Sequence, residues 1–218
     1  VDAEIKCPNE NVSINININP LLNSDDKSLG TMLVMEDISS EKRIKSTMSR
    51  YMNPQLAEQM LSGGQDVLGG QSVKATVLFS DIRSFTTITE QLGAAGTVSM
   101  LNEYFTDMVE CIQDEGGMLD KFIGDAIMAD FGVPVSHEDD EDRAMRAAIN
   151  MFKRLAELNR VRGLRGDMPI EMGVGLNTDM VVSGNIGSPK RMDYTMIGDG
   201  VNLAARLESA CKTYSAQI

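Results

Sequence analysis

From about residue 66 onward the sequence predicts an α+β fold, a ferredoxin-like βαββαβ sandwich. Three observations predict it. Val73 to Ser80 (VKATVLFS) is apolar almost throughout, as in a central strand covered on both faces. Thr97 to Glu115 places Val98, Leu101, Phe105, Met108, Val109 and Ile112 on one helical stripe and stops at Gly116-Gly117. Met118–Ile123 and Ala126–Phe131 then alternate as two strands about the tight turn Gly124-Asp125, and a further helix and strand repeat the rhythm.

The N-terminal stretch has a different style. Val12 to Asn19 alternates apolar and polar residues, a strand with one wet face that Pro20 is expected to end. Asn23 to Ser28 is turn chemistry, and Leu29 to Ile38 reads as the partner strand of a β-hairpin belonging to a larger domain. Ser40 is a candidate N-cap for a helix carrying Ile44, Met48 and Met52 at i, i+4, i+8. Asn53-Pro54 interrupts it, a short helix over Leu56 to Leu61 follows, and Gly63-Gly64 and Gly69-Gly70 mark a boundary. Two readings stand for this stretch: a plain linker, or a signalling helix between an input and an output domain. The expected division is 1–39, 40–65 and 66–218.

In the C-terminal part, a helix is expected over Glu138 to Arg160, acidic at its start and basic at its end, as its dipole favours. Ile170–Asn177 and Met180–Asn185 read as strands, and Val201 to about Tyr214 as a last helix with Leu203, Leu207 and Cys211 inward. Met100, Met108, Met151 and Met172 fall at core positions, as adaptable filler.

Composition narrows the chemistry. Of 218 residues, 20 are Lys or Arg and 32 are Asp or Glu, a net charge of −12. Such a chain is poorly suited to cover nucleic-acid phosphates, and no nucleic-acid partner is expected. The one histidine, His137, leaves little room for histidine triads or histidine metal sites. Three dispersed cysteines, Cys7, Cys111 and Cys211, argue against a disulfide framework or zinc cluster and fit a reducing, cytoplasmic setting. No apolar run approaches the ~20 residues that span a bilayer, so no membrane contact is expected of this fragment.

Carboxylates remain. Asp81 ends the buried strand in Phe79-Ser80-Asp81-Ile82, and Asp125 sits in a hairpin turn. If those strands are neighbours, the two acids meet at one sheet edge and repel unless a cation joins them. Magnesium accepts oxygen ligands of this kind together with substrate phosphates. Ile82-Arg83-Ser84-Phe85-Thr86 is a strand-to-helix passage whose amides suit phosphate oxygens. No Walker-type glycine loop is present. On the last helix Asn202 and Arg206 are four apart and share a face; two readings stand, a solvated helix face, or a face whose arginine meets charge developing on a phosphate.

F-S-D-I-R-S-F-T at Phe79–Thr86, D-K-F-I-G-D-A at Asp120–Ala126 and R-M-D-Y-T-M-I-G-D-G-V-N-L-A-A-R-L-E at Arg191–Glu208 together resemble the class III nucleotidyl cyclase catalytic domain, a palm-like fold, over about Lys74 to Ile218. The resemblance implies two-metal cyclisation of a nucleoside triphosphate with release of pyrophosphate. It implies that Asp81, Asp125 and the Ile82 carbonyl hold two Mg2+ ions, for which Mn2+ can substitute. Arg83, Ser84, Phe85 and Thr86 would form the phosphate-binding loop, Asn202 would orient the ribose and Arg206 would stabilise the transition state. Lys121 and Thr195 would select the base; lysine with threonine resembles the adenine-selecting pattern, whereas a guanine selector typically has glutamate at 121. ATP is therefore the expected substrate. A guanylate cyclase and a non-catalytic nucleotide-sensing or dimerisation module are the alternatives. The family's site lies between two protomers, so a homodimer with shared sites is implied.

Two departures accompany the resemblance. The chain ends at Ile218, where the family usually continues through strands that supply a triphosphate lysine. Asp179 also stands where many relatives have glycine. Finally, Ile16 to Ser39 resembles the last two strands of a PAS sensor domain, which implies an upstream sensor in the parent chain.

Overall fold

Period-2 alternation carries the N-terminal residues into an antiparallel sheet of three strands, β1 (Asp2–Lys6), β2 (Asn11–Leu22) and β3 (Ser28–Asp37), in the order β1-β2-β3. The structure is a computed structural model that describes residues 2–6, 11–22, 24, 27–40, 42, 70–188 and 190–218. The expected hairpin is thus a three-stranded sheet. Pro20 does not end β2, which runs on to Leu22. Among the described residues β1 pairs only with Asn11–Asn15, so Pro20 is paired on its β3 side alone, a place where a strand tolerates proline. The first helical turn begins at Ser39, one residue before the expected cap, and Asp37 Oδ1 accepts from the Ser39 amide at 2.9 Å. The stripe Ile44, Met48, Met52 and the glycine pair 63–64 lie outside the described residues. Chain contacts divide the protein into two compact units, Val1–Glu58 and Gln59–Ile218.

The second unit is built on β4 (Gln71–Ile82), α1 (Phe85–Asp114), β5 (Met118–Ile123), β6 (Ala126–Phe131), α2 (Asp140–Arg165), β7 (Met172–Ser188), β8 (Arg191–Ile197) and α3 (Asp199–Tyr214). The sheet order is β5-β6-β4-β7-β8, with every neighbouring pair antiparallel. The first four of these strands are the second, third, first and fourth of the βαββαβ unit, which is the expected ferredoxin-like arrangement.

β4 is covered on both faces, as its apolar run requires. On one side Leu78, Ile127, Ala129, Phe131 and Val174 pack against Met100, Tyr104, Met108 and Ile112 of α1 and Ala147, Met151 and Leu155 of α2. On the other, Ala75, Val77, Met118, Met128 and Val181 pack against Met196 of β8 and Val201 and Ala204 of α3. Met100, Met108, Met151 and Met172 are all buried, as core filler should be. Burial of side chains this size stabilises by about 1.5–3 kcal/mol each.

Four local expectations are corrected. α1 begins at Phe85, twelve residues early; the non-helical Gly93 (φ 66°, ψ 178°) splits it and hides the first part from a periodicity count. The two strands expected between 170 and 185 are one strand, β7, because β4 pairs with it continuously from Met172 to Ser183, through Thr178 and Asp179. β8 is additional. In α3 the inward stripe is Gly200, Val201, Ala204 and Cys211, whereas Leu203 (42% exposed) and Leu207 (40%) face outward. The helix crosses β7 at Gly175, where a Cβ would overlap the Ala204 carbonyl and the Glu208 backbone; this fixes which side of α3 lies against the sheet.

Candidate active site

The C-terminal end of β4 and the β5–β6 turn meet at one sheet edge. Ser80 of β4 is opposite Ile127 of β6, and Ile123 is opposite Ala126 across the turn. Asp81 and Asp125 therefore come together. Asp125 is half-buried, and its carboxyl is pushed up to about 6, first by burial and then by the hydrogen bond and charge of Asp81. Two carboxyls sharing a hydrogen bond must hold a proton between them, or a cation must replace it. Tyr104 lies fully buried beneath them. Its hydroxyl is 3.4 Å from Met172 Sδ, and its acidity is suppressed first by burial and also by the charges of Asp81 and Asp125. Glu208 of α3 is a third acid in this field, raised by burial and then by Asp81. Among the described residues no cluster of three or more acid, histidine or cysteine ligands occurs. The available donor set is two carboxylates plus backbone oxygen, which are hard ligands.

The passage after Asp81 turns sharply into α1. Ser84 caps the helix in the left-handed region (φ 56°, ψ 31°) and makes no side-chain cap bond. The first bonds back to it come from Thr87 and Ile88, so the amides of Phe85 and Thr86 are helix-start donors. Arg83 departs from the phosphate-loop expectation. Its amide donates to the Glu171 carbonyl at 2.8 Å and its guanidinium to the Ala216 carbonyl at 2.8 Å. It serves to tie β4 to the residues before β7 and after α3.

Lys121 and Thr195 are brought together although β5 and β8 are the two outermost strands of the sheet. The sheet curls so that Met118 of β5 and Met196 of β8 share one core cluster. Asp120 joins the pair: Thr195 Oγ1 donates to Asp120 Oδ2 at 2.5 Å, and Lys121 Nζ is 3.3 Å from Asp120 Oδ1. Behind it Asp130 is fully buried, with both carboxyl oxygens lacking a partner among the described residues. Burial, then the charge of Asp120, pushes Asp130 well above the usual carboxylate range. In the sequence Asp120 stands only as the first residue of the D-K-F-I-G-D-A motif, with no role, and Asp130 is not singled out. The available signal was an aspartate inside the apolar run Ala126–Phe131, which demands an explanation.

Asn202 and Arg206 sit one turn apart on the outward face of α3, beside Leu203 and Leu207. Among the described residues neither side chain has a hydrogen-bond or ion-pair partner. The structure thus brings together Asp81 with Asp125, and Lys121 with Thr195, and leaves Asn202 and Arg206 free on a partly apolar surface. Asp179 packs its side chain on Gly200, where no Cβ fits.

A hard two-carboxylate centre beside a helix start, carried at the end of a buried central strand, defines a domain suited to divalent cations and phosphates. The chain belongs to the adenylate and guanylate cyclase catalytic domain family, which residues 70–218 match. It is 38% identical over 180 residues to the terminal-differentiation specific adenylate cyclase of Dictyostelium discoideum, covering 80% of this chain and 8% of that protein. It is 38% identical over 149 residues to an adenylate cyclase of Anabaena cylindrica, covering 66% of this chain and 29% of that one. The chain thus spans less than a third of these relatives. Among solved structures, the guanylyl cyclase Cya2 is 45% identical with a TM-score of 0.62, covering 65% of this chain and 72% of that one. The adenylyl cyclase CyaB from P. aeruginosa is 42% identical with a TM-score of 0.64, covering 66% and 74%. The family read from the three motifs is borne out. Because cyclases of both base preferences superpose on the chain, substrate choice has to be argued from side chains.

Proposed function

We propose that this domain converts ATP to 3′,5′-cyclic AMP and pyrophosphate at sites shared between two copies of the chain. The observation that carries the reading is the presence, on a cyclase-family fold, of both the Asp81–Asp125 pair and a lysine–threonine pair at 121 and 195. Asp81 and Asp125, with the carbonyl of Ile82, would hold two divalent cations, Mg2+ or Mn2+; the all-oxygen donors and the shared proton of the acid pair fit such ions. When bound, they lower the pKa of the ribose 3′-hydroxyl and neutralise the triphosphate. The amides of Ser84, Phe85 and Thr86 receive phosphate oxygens. Asn202 orients the ribose, and Arg206 meets the charge that develops at the α-phosphate. Lys121 donates to adenine N1, and Thr195 meets the base at its 6-position.

The outward placement of Asn202 and Arg206, flanked by exposed Leu203 and Leu207, supports a homodimer in which α3 of one copy completes the acid pair of the other. The three antiparallel strands of the N-terminal unit support its reading as the end of a PAS-like sensor, and the stretch 40–65 as its connection to the cyclase. No helix among the described residues is long and apolar enough to cross a membrane, and Cys111 and Cys211 are free thiols; the free thiols support a cytoplasmic site of action.

Incubation with ATP or GTP in Mg2+ or Mn2+, with products separated by chromatography, tests the reaction. Cyclic AMP from ATP alone is expected. Cyclic GMP would move the assignment to guanylate cyclase, and nucleotide binding without turnover to a sensing module. Mixing Asp125→Ala with Arg206→Ala protein tests the shared site. One intact site per mixed dimer restores about a quarter of wild-type activity; exchange of subunits with no recovery refutes the arrangement.

A further inference from the structure

Asp120 has no role in the proposed reaction, yet among the described residues it touches both base-selecting residues. Its side chain is 1% exposed, while that of Lys121 is 37% exposed and reaches solvent. Asp120 therefore lies beneath the surface on which a base would rest. A threonine hydroxyl has one proton and two lone pairs. Here that proton points inward, to Asp120 Oδ2 at 2.5 Å. An ionised carboxylate only accepts, so it cannot return a proton to the hydroxyl. Only lone pairs of Thr195 are then left to face a ligand.

We propose that Asp120 is a specificity-determining positioning residue, which holds the Thr195 hydroxyl as an obligate acceptor and anchors the Lys121 ammonium beside it. The inference rests on the reading of Lys121 and Thr195 as base contacts. Adenine presents an acceptor at N1 and an amino donor at the 6-position. Guanine presents N1–H and an acceptor oxygen at those places, so it meets a donor with a donor and lone pairs with lone pairs. Rejection comes from polar groups left unpaired on both sides.

Asp130 helps Asp120 to stay ionised. Two buried acids in one another's field hold one proton more readily than none. Asp130 is the deeper, and among the described residues no hydrogen bond stabilises its charged form. Burial raises Asp120 as well, but Thr195 and Lys121 oppose that shift. The shared proton belongs on Asp130.

The test is the ratio of kcat/KM for ATP to that for GTP, measured on the full chain in Mg2+. Asp120→Asn should lower the ratio about tenfold, because an amide can donate to Thr195 and turn its proton outward. In a Thr195→Val background the same change should leave the ratio where Thr195→Val alone put it. A merely structural role would lower kcat for both nucleotides together and spare the ratio. An unchanged ratio in Asp120→Asn, with Thr195→Val lowering it, overturns the proposal. An unchanged ratio in Thr195→Val and in Lys121→Glu refutes the base-contact reading itself. If Asp120→Asn does not fold, the exchange Asp120→Thr with Thr195→Asp keeps a donor joined to an acceptor and places the acceptor at 195. Retained ATP preference is then expected, and its loss in a folded exchange variant overturns the proposal.

Discussion

At the end of β4, Asp81 and Asp125 meet half-buried at a sheet edge; on β5 and β6, the side chains of Asp120 and Asp130 lie almost wholly out of solvent. Both are pairs of carboxyls whose charges cannot comfortably coexist, and both have an acid pushed up by burial first and by its neighbour second. They differ in what can reach them. The edge pair is open to a solvated cation and to the amides that begin α1. The inner pair lies out of solvent, where Asp120 meets the Thr195 hydroxyl, the Lys121 ammonium and the backbone of Met196. Burial thus separates a pair suited to metal chemistry from a pair suited to hydrogen-bond recognition, with the same residue type in both.

The largest effect should come from breaking the edge pair. Asp81→Ala or Asp125→Ala is expected to lower cyclisation by on the order of a thousandfold, read as cyclic nucleotide formed per minute, with the circular dichroism of the folded domain retained. Near-normal turnover in either variant would remove the pair from the reaction. Next comes the rim of the inner pair. On the proposed base contacts, Lys121→Glu would replace a donor to adenine N1 with an acceptor, and it sets two acids side by side. It should cut kcat/KM for ATP about ten- to a hundredfold, and unchanged ATP turnover would sink the base assignment.

Much of this contrast was legible in the sequence, and the illegible part has physical causes. An aspartate closing Val73–Ser80 and another in a Gly-Asp turn announce themselves, because charge is costly at the end of a buried strand. The inner pair was hidden, because nothing in one dimension says that β5 and β8, the outermost strands, curl into contact through Met118 and Met196. Thr178-Asp179 reads as a break in β7, yet the strand continues because β4 pairs on one side and Thr76 Oγ1 lies 2.8 Å from Thr178 Oγ1. Leu203 and Leu207 read as inward by hydropathy, but Gly175 of β7 admits the Ala204 side of α3 instead. Both leucines are left exposed on the outer side of α3.

A smaller effect is expected deep in the inner pair. Asp130 leaves two carboxyl oxygens without partners among the described residues, in a strand whose neighbours are apolar. Asp130→Val should stabilise the fold by about 1–3 kcal/mol, the usual cost of an unsatisfied buried polar group, measured as a rise in the urea midpoint at constant slope. A loss of stability would mean that the carboxyl has a structural partner.

The smallest effect is a pH signature that the edge pair should have on its own. Asp125 is raised from 3.8 to about 6 in the folded chain. The folded state therefore binds a proton more readily than the unfolded state between these values. Its contribution to stability is fully present below about pH 4 and is lost as pH rises through about 6. A divalent cation needs both carboxylates free of protons. The gain in melting temperature on adding Mg2+ should thus be small near pH 5 and grow through about pH 6 to a plateau near pH 7. Asp125→Asn should flatten that growth, because the amide neither binds the proton nor carries the charge. An Mg2+ increment that is constant over this range in the unmutated protein would mean that the ion is not taken up at the edge pair.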